Sequence, residues 1–431
     1  MPFYKEGQAS GVNTTYTNPM WFSPLHTPQN WQIASRRREI YQWTNVSSCQ
    51  VMTYDYTYKN IGDIQFTEKE PIQDTITGGL LYDDVDAEPI MCGSGEFRKP
   101  VHFSIRECVE KRCFGFQSYG YWRSCEVSEE HPMIVLDGNL YRHKKKLESN
   151  HNYSKTKRKK KTDRTNNQPR RIKIPDELIT RKQAQDVDLK DYLLAPIPKV
   201  GIKNVNYSNA WLLGLCLADG SVNKSNKSVG YTIGKKEKFA TDLQNHLYEW
   251  GKVNTATHSN SEKTYRISLH DKKFHEFCSS YITGKYNQKR LTQKAFELDK
   301  ESRLHMLGGY FDGDGSFSKA EGKLIANNYS KDMADQIYWL LLSVGIRASL
   351  NRYPLYGEHY ETESEWSYRL FVSQSDILKL KPYMRSDKIE DDFEPKPTRE
   401  LKFFYEEDDT NYFAQPIKEI RQFLYTGPGY D

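Results

Sequence analysis

The sequence predicts an α+β protein: a pseudo-symmetric two-fold body, with an αββαββα unit occurring twice, inserted in an all-β domain. Three observations predict it. Two short stretches are near copies, LLGLCLADGS (Leu212–Ser221) and LGGYFDGDGS (Leu307–Ser316). The same order of helix-like and strand-like patterns follows each copy, and repeats of this kind identify an architecture. The flanks on either side contain short strand-like runs.

Each copy is an apolar helix-like run with small residues four apart, ending in Asp-Gly. Gly214 and Ala218 have that spacing, and so do Gly309 and Gly313. It puts both small residues on one helix face. Two such faces can pack with close backbone approach, because little side chain stands between them. The helices then end side by side, with Asp219 and Asp314 adjacent at their C-termini. That end already carries the partial negative charge of the helix dipole, so two carboxylates there repel. A divalent cation resolves the repulsion, and hard cations prefer oxygen ligands. The simpler alternative is two buried helices with C-terminal glycine caps. A cap alone does not demand Asp before Gly in both copies.

After the first copy the pattern predicts a strand around Val229–Ile233, a helix over Lys238–Trp250, a strand over Thr264–Leu269 and a helix from Lys272. After the second come a strand at Lys323–Ala326, a helix at Asp332–Val344 running into SVGI, a strand at Trp366–Val372 and the segment SQSDILKLKPYM.

These paired motifs, 95 residues apart from Asp219 to Asp314, resemble those of LAGLIDADG homing endonucleases in their single-chain, two-motif form. The resemblance spans about residues 204–385. It implies two antiparallel sheets forming a saddle on double-stranded DNA. It also implies Mg²⁺ as the divalent cofactor and a double-strand break with short 3′ overhangs at a long, asymmetric site. Asp219 and Asp314, with the adjacent Gly220 and Gly315, are the expected metal-binding positions. A Lys often assists in the family, and Lys235, just after the strand YTIG, matches that place. The equivalent place in the second half lies near Tyr329, with Lys323 as a substitute.

Composition bounds the alternatives. The chain has 431 residues, room for two or three domains. Charged residues make up 28% and no apolar run reaches membrane-spanning length, so no membrane association is expected. The N-terminus MPFYKEGQ lacks a signal core. Seven Cys, an odd number in a long chain, fit a reducing cytoplasm better than a disulfide scaffold. A monomer is expected.

The net charge of +5 is unevenly spread: Arg142–Lys173 holds fourteen Lys or Arg against two acids. Its centre, Lys155, Lys157, Arg158, Lys159, Lys160 and Lys161, lacks apolar periodicity, so residues 144–174 read as a flexible basic insert. Such an insert is either a solvated linker or a contact to the DNA backbone, where cations release counterions and add affinity without sequence information. Beside a nuclease motif pair, the DNA contact is preferred.

The flanks resemble a second family, the protein-splicing HINT fold of inteins. CQVMTYDYTYKNIGDIQ (Cys49–Gln65) resembles an intein opening. CEVSEEHPMIVLDG (Cys125–Gly138) resembles the splicing block, with Ser128 at its Thr position and His131 at its His. Arg181–Lys199 resembles strands that precede an inserted endonuclease, and Tyr412–Asp431 those that follow it. The resemblance implies host sequence over 1–48, a splicing domain over 49–143, 175–203 and 398–431, and the nuclease over 204–385. Cys49 would convert the Ser48–Cys49 amide into a thioester. His131 would protonate the departing nitrogen, and Ser128 would polarise the bond. The block ending in His-Asn is not matched, which implies an incomplete intein: a truncated one, a half that splices in trans with a short C-terminal fragment, or a reading frame ended early. SPLHTPQNWQIASRRREIYQW resembles phage structural proteins, implying a phage-encoded protein acting in the cytoplasm of a bacterial host.

Two rivals share these motifs: an RNA maturase or non-cleaving nucleic-acid-binding relative, and a splicing element with an inactive nuclease. Other sites are weak. Cys108 and Cys113 lack a second ligand pair at zinc spacing. GSGEFRK (Gly93–Lys99) lacks the order of a nucleotide loop.

Overall fold

The structure, a computed structural model, describes residues 45–46, 50–63, 72–73, 80–83, 88–100, 102–146, 178–257, 263–355, 366–395, 402–407 and 410–430. The first flank contributes β1 (His102–Ser118), β2 (Ser124–Ser128), β3 (Pro132–Leu136), β4 (Ile179–Gln183) and β5 (Tyr192–Pro196). The first half of the inserted body follows: α1 (Tyr207–Asp219), β6 (Gly220–Asn223), β7 (Ser228–Gly234), α2 (Ala240–Tyr248), β8 (Val253–Thr257), β9 (Thr264–Leu269) and α3 (Lys272–Tyr281). The second half repeats it: α4 (Lys300–Asp314), β10 (Gly315–Ser318), β11 (Lys323–Asn328), α5 (Lys331–Ser343), β12 (Ala348–Pro354) and β13 (Trp366–Val372). The chain returns through β14 (Phe403–Glu407) and β15 (Thr410–Tyr430).

Each half builds a four-stranded antiparallel sheet, in the orders β6-β7-β9-β8 and β10-β11-β13-β12. The matching order is the pseudo-symmetry made visible. Side chains alternate across each strand, as the period of two requires. Val229, Tyr231 and Ile233 are buried on β7, and Tyr368, Leu370 and Val372 on β13. Arg266 and Arg369 face outward between such positions. Helix starts are capped by side chains. Asn206 accepts from the amides of Ser208 and Asn209, Asp299 from Ser302, and Ser330 from Met333.

The structure differs from the sequence pattern in three places. The pattern does not single out strands β6, β8, β10 and β12; two of them continue straight from a helix end and are only four residues long. Between the halves lie a hairpin, Ile282–Thr283 with Arg290–Leu291, and a short helix, Gln293–Phe296. The segment SQSDILKLKPYM folds as a broken run of 3-10 and α turns over Gln374–Tyr383.

The flanks meet in one sheet. β15 pairs with β1 from Ile417 opposite Ser118 to Tyr430 opposite Ile105, and with β5 from Tyr412 to Pro416. Helix α5 packs between this β-rich part and the second sheet, and residues Met333–Leu342 are all buried. Tyr121 stacks on Tyr338 at 4.7 Å, Tyr56 stacks on Phe296 at 4.0 Å, and Trp339 donates to the Tyr58 hydroxyl at 3.0 Å. The Arg123 guanidinium pairs with buried Asp335, its Nε 3.2 Å from Oδ2. The Leu350 amide donates to the Gly120 carbonyl at 2.8 Å, so the flank caps the outer edge of the second sheet. Buried side chains of both parts belong to one apolar cluster. Among the described residues no helix is long and apolar enough to cross a membrane.

Candidate active site at the paired helix ends

Helices α1 and α4 lie against each other with almost no side chain between them. A methyl group on Gly214 would come 1.8 Å from the Met306 carbonyl oxygen. One on Gly309 would come 2.0 Å from the Trp211 carbonyl oxygen, and one on Gly313 2.5 Å from the Ala218 Cβ. The small-residue spacing therefore does what it predicts. The helices end together, with Asp219 Oδ2 only 2.9 Å from where a Gly313 Cβ would stand. The glycines that follow are not left-handed caps. Gly220 has φ −95° and Gly315 φ −72°, both leading straight into strands. Their missing side chains matter for a different reason: a Cβ would strike the last helical turn, 2.6 Å from the Cys216 oxygen or 2.2 Å from the Phe311 oxygen. Gly345, after α5, is a true left-handed terminus at φ +84°.

The charges at this point are coupled. Asp314 is raised to about 7 by burial, then by the nearby Asp219 carboxylate, and is partly relieved by Lys289 and Lys388. Asp219 is raised by burial, with Lys388 and Lys289 opposing and Glu237 adding to the rise. Lys289 is lowered by burial, against the pull of Cys216, Asp314 and Asp219. Two half-buried carboxylates that repel one another stand at two helix C-termini, with Lys289 and Lys388 beside them. That donor chemistry fits a hard divalent cation.

Two lysines complete the symmetry, and the motif pattern points to neither. Lys289 donates to the carbonyls of Ala218 (3.3 Å) and Gly220 (2.8 Å). Lys388 donates to those of Phe311, Asp312 and Gly313, the last at 3.0 Å. Each ammonium thus sits on the open carbonyls of one helix end, where a cation is favoured. Lys388 is held there by buried Asp312, which accepts from the amides of Arg385 (2.8 Å) and Ser386 (3.0 Å) and from Trp211 Nε1 (2.7 Å). Lys289 is held by the inter-half hairpin, which Gln336 grips through the Leu291 amide at 2.8 Å and carbonyl at 3.0 Å. One sequence signal exists: carrying the repeat past its last helix aligns Lys289 before Arg290–Leu291 with Lys388 before Ile389.

The lysine expected from sequence is not one of the two seated on the helix-end carbonyls. Lys235 is exposed at the end of β7, its Nζ 5.4 Å from the centre of the Tyr265 ring. Lys323 is exposed and pairs with Glu321 at 2.8 Å. Gly220 and Gly315 flank the carboxylates as their positions require, and the Gly220 carbonyl is the one that Lys289 engages.

In the β-rich part, Ser128 and His131 form one tight turn, the His131 amide donating to the Ser128 carbonyl at 3.0 Å. Both are buried, and Cys113 lies opposite Ser128 in register. The His131 carbonyl accepts from Ala184 at 2.9 Å. Cys49 lies outside the described residues, as do Lys155, Lys157, Arg158, Lys159, Lys160 and Lys161. The six described cysteines are buried and unbridged.

With this geometry in view, comparison with known proteins gives a domain match for the body. Residues 206–294 and 301–384 match the model of the LAGLIDADG-like domain. DNA-directed RNA polymerase subunit Rpo1C of Methanocaldococcus jannaschii is 23% identical over 367 residues, covering 72% of this chain and 42% of that protein. Replication factor C small subunit of the same organism is 27% identical over 219 residues, covering 46% of this chain and 11% of that protein. The chain therefore spans less than half the length of these curated relatives. Among solved structures, a variant of the homing endonuclease I-DmoI is similar at a TM-score of 0.29 and 18% identity, over 42% of this chain and 97% of that one. I-DmoI has been solved with DNA and Ca and with DNA and Mn.

Proposed function

We propose that the body around α1 and α4 is a site-specific DNA endonuclease that makes metal-dependent double-strand breaks. The observation that carries this is the twinned site, in which Asp219 and Asp314 stand at touching helix ends, each end capped by a lysine. Asp219 and Asp314 would hold Mg²⁺ between the two halves. When bound, the cation supplies charge stabilisation at the scissile phosphates and favours hydroxide over water. The protein's own groups do the rest. Lys289 and Lys388 keep two fixed positive charges beside the carboxylates, where phosphate oxygens of each strand would approach. The close helix contact fixes both halves at one spacing, so the two strands are cut as a unit. The two sheets present their outward faces, with Arg266 and Arg369, to the duplex. A non-cleaving relative would not need two carboxylates forced together at a cost in stability, so cleavage is favoured over binding alone. Asp219→Asn should abolish double-strand cleavage of the uninterrupted host sequence in Mg²⁺ while leaving DNA binding within a few-fold. Full cleavage by that variant would refute the assignment.

For the flanks, we infer a HINT splicing-type domain interrupted by this nuclease, with Cys49 as nucleophile and Ser128 and His131 as its partners. Two features support the reading. The flanking strands on both sides of the body pair in one sheet, so the body is an insertion in space as well as in sequence. Matches of 367 and 219 residues, covering 72% and 46% of this chain, both exceed the nuclease body and take in flank sequence, in two relatives whose printed names describe different jobs.

A further inference from the structure

Where the β-rich part meets the second sheet, three cations crowd one indole. The ring of Trp122 has the Arg123 guanidinium carbon 4.3 Å from its centre, that of Arg352 at 5.1 Å and the Lys331 ammonium at 5.8 Å. Arg352 also lies 4.6 Å from the ring of Trp366, so its plane is held between two tryptophans from different parts of the chain. The carboxylates nearby are already engaged: Asp335 pairs with Arg123, and Asp332 with Arg290 at 3.2 Å. Among the described residues neither Arg352 nor Lys331 forms an ion pair. Among the described residues at this junction, four cations (Arg123, Arg290, Lys331, Arg352) face two anions (Asp332, Asp335). Lys331 registers the excess: burial lowers it, and Arg123 and Arg352 lower it further, against Asp335 and Asp332.

The cluster lies at the margin of the second sheet, on its helix side. Ala348 and Leu350 of β12 are buried on the helix side, and Arg352 follows them on that side beyond the core. Tyr353 and Arg369 lie on the other side, with the Arg369 guanidinium 4.5 Å over the Tyr353 ring. Cations stacked on aromatics thus lie on both sides of the sheet at the last described pairs of β12 and β13. A flat guanidinium fixed by stacking keeps its N–H edge free for a phosphate oxygen, with little side-chain entropy left to lose.

We propose that Lys331 and Arg352, seated on Trp122 and Trp366, form a phosphate-binding seat that grips the DNA backbone beyond the edge of the second sheet. This rests on the DNA-binding reading above, and it gives the β-rich part a role in holding DNA, through Trp122. The contact is to backbone, so it adds affinity on every sequence.

The test is the salt dependence of affinity for a mixed-sequence DNA duplex, measured without divalent metal by fluorescence anisotropy on the full chain. Lys331→Gln with Arg352→Gln should lower the log–log salt slope by about 0.9 for each phosphate no longer neutralised, up to about 1.8 for the pair. Arg352→Lys keeps the charge and should recover most of the slope. Lys300→Gln, at the far end of α4 from Asp314, should leave it unchanged. A parent-like slope in the double variant, with the parent's melting temperature, overturns the seat while leaving the DNA reading intact. An equal drop from Lys300→Gln also overturns it, because net charge alone would then explain the effect. A parent that binds no duplex at all overturns both.

Discussion

Asp314→Asn separates electrostatic strain from function. In the metal-free protein Asp314 is held near 7 by burial and by Asp219, against about 3.9 for an unperturbed Asp. The folded state therefore binds this proton more tightly than the unfolded state between those two values. Stability contributed by the protonated carboxyl is complete below about pH 4 and is lost as pH rises through about 7. The difference of about 3 units corresponds to about 4 kcal/mol. Asn at 314 has no proton to lose and presents no charge to Asp219. The variant should match the parent near pH 4 and exceed it by up to about 4 kcal/mol at pH 8 in EDTA. For a cooperative body of this size that is roughly 10 °C in melting temperature. Adding Mg²⁺ at pH 8 should close the gap from the parent's side, because a ligand that binds only the folded state raises its stability. The variant should respond weakly to Mg²⁺ and should not cleave. The assay is thermal unfolding followed by circular dichroism across pH 4–8, with and without Mg²⁺. A parent whose melting temperature does not fall relative to the variant between pH 5 and pH 8 would refute the coupled-carboxylate account.

Other outcomes follow from the same geometry. Gly214→Ala places a methyl group 1.8 Å from the Met306 oxygen; it should push the helices apart, cost about 1–3 kcal/mol or more in urea unfolding, and slow cleavage beyond its effect on folding. Replacing Lys155, Lys157, Arg158, Lys159, Lys160 and Lys161 with Gln should weaken binding equally on all duplexes and flatten the salt slope by about 0.9 for each phosphate these cations neutralise; an unchanged slope would make this run a linker. A strong thiol should cleave the Ser48–Cys49 bond and release residues 1–48, detectable by mass; no release from the parent, with Cys49→Ala behaving identically, would end the splicing reading.

Much of this protein is written locally. The spacing of Gly214, Ala218, Gly309 and Gly313 determines that two helices can touch, because helical periodicity is a property of the backbone. The alternation in WSYRLFV places Tyr368, Leu370 and Val372 on one face for a similar reason, and the strand falls over Trp366–Val372. Asp before Gly in both copies marks the two helix ends that meet. What the tertiary structure decided is everything that depends on distance through space. Lys289 follows Asp219 by 289 − 219 = 70 residues and Lys388 follows Asp314 by 388 − 314 = 74, both in irregular segments. They reach the helix ends only because Gln336 fixes one segment and Asp312 the other. Lys235 looks equivalent along the chain, yet its strand carries it out over Tyr265. The pairing of β15 with β1 joins Ile420 to Phe116 across more than half the chain, and no local pattern encodes such a register. Coulombic coupling of Asp219 to Asp314, and of Lys331 to Arg352, likewise arises only once folding removes water and brings like charges together, since both burial and separation set its strength.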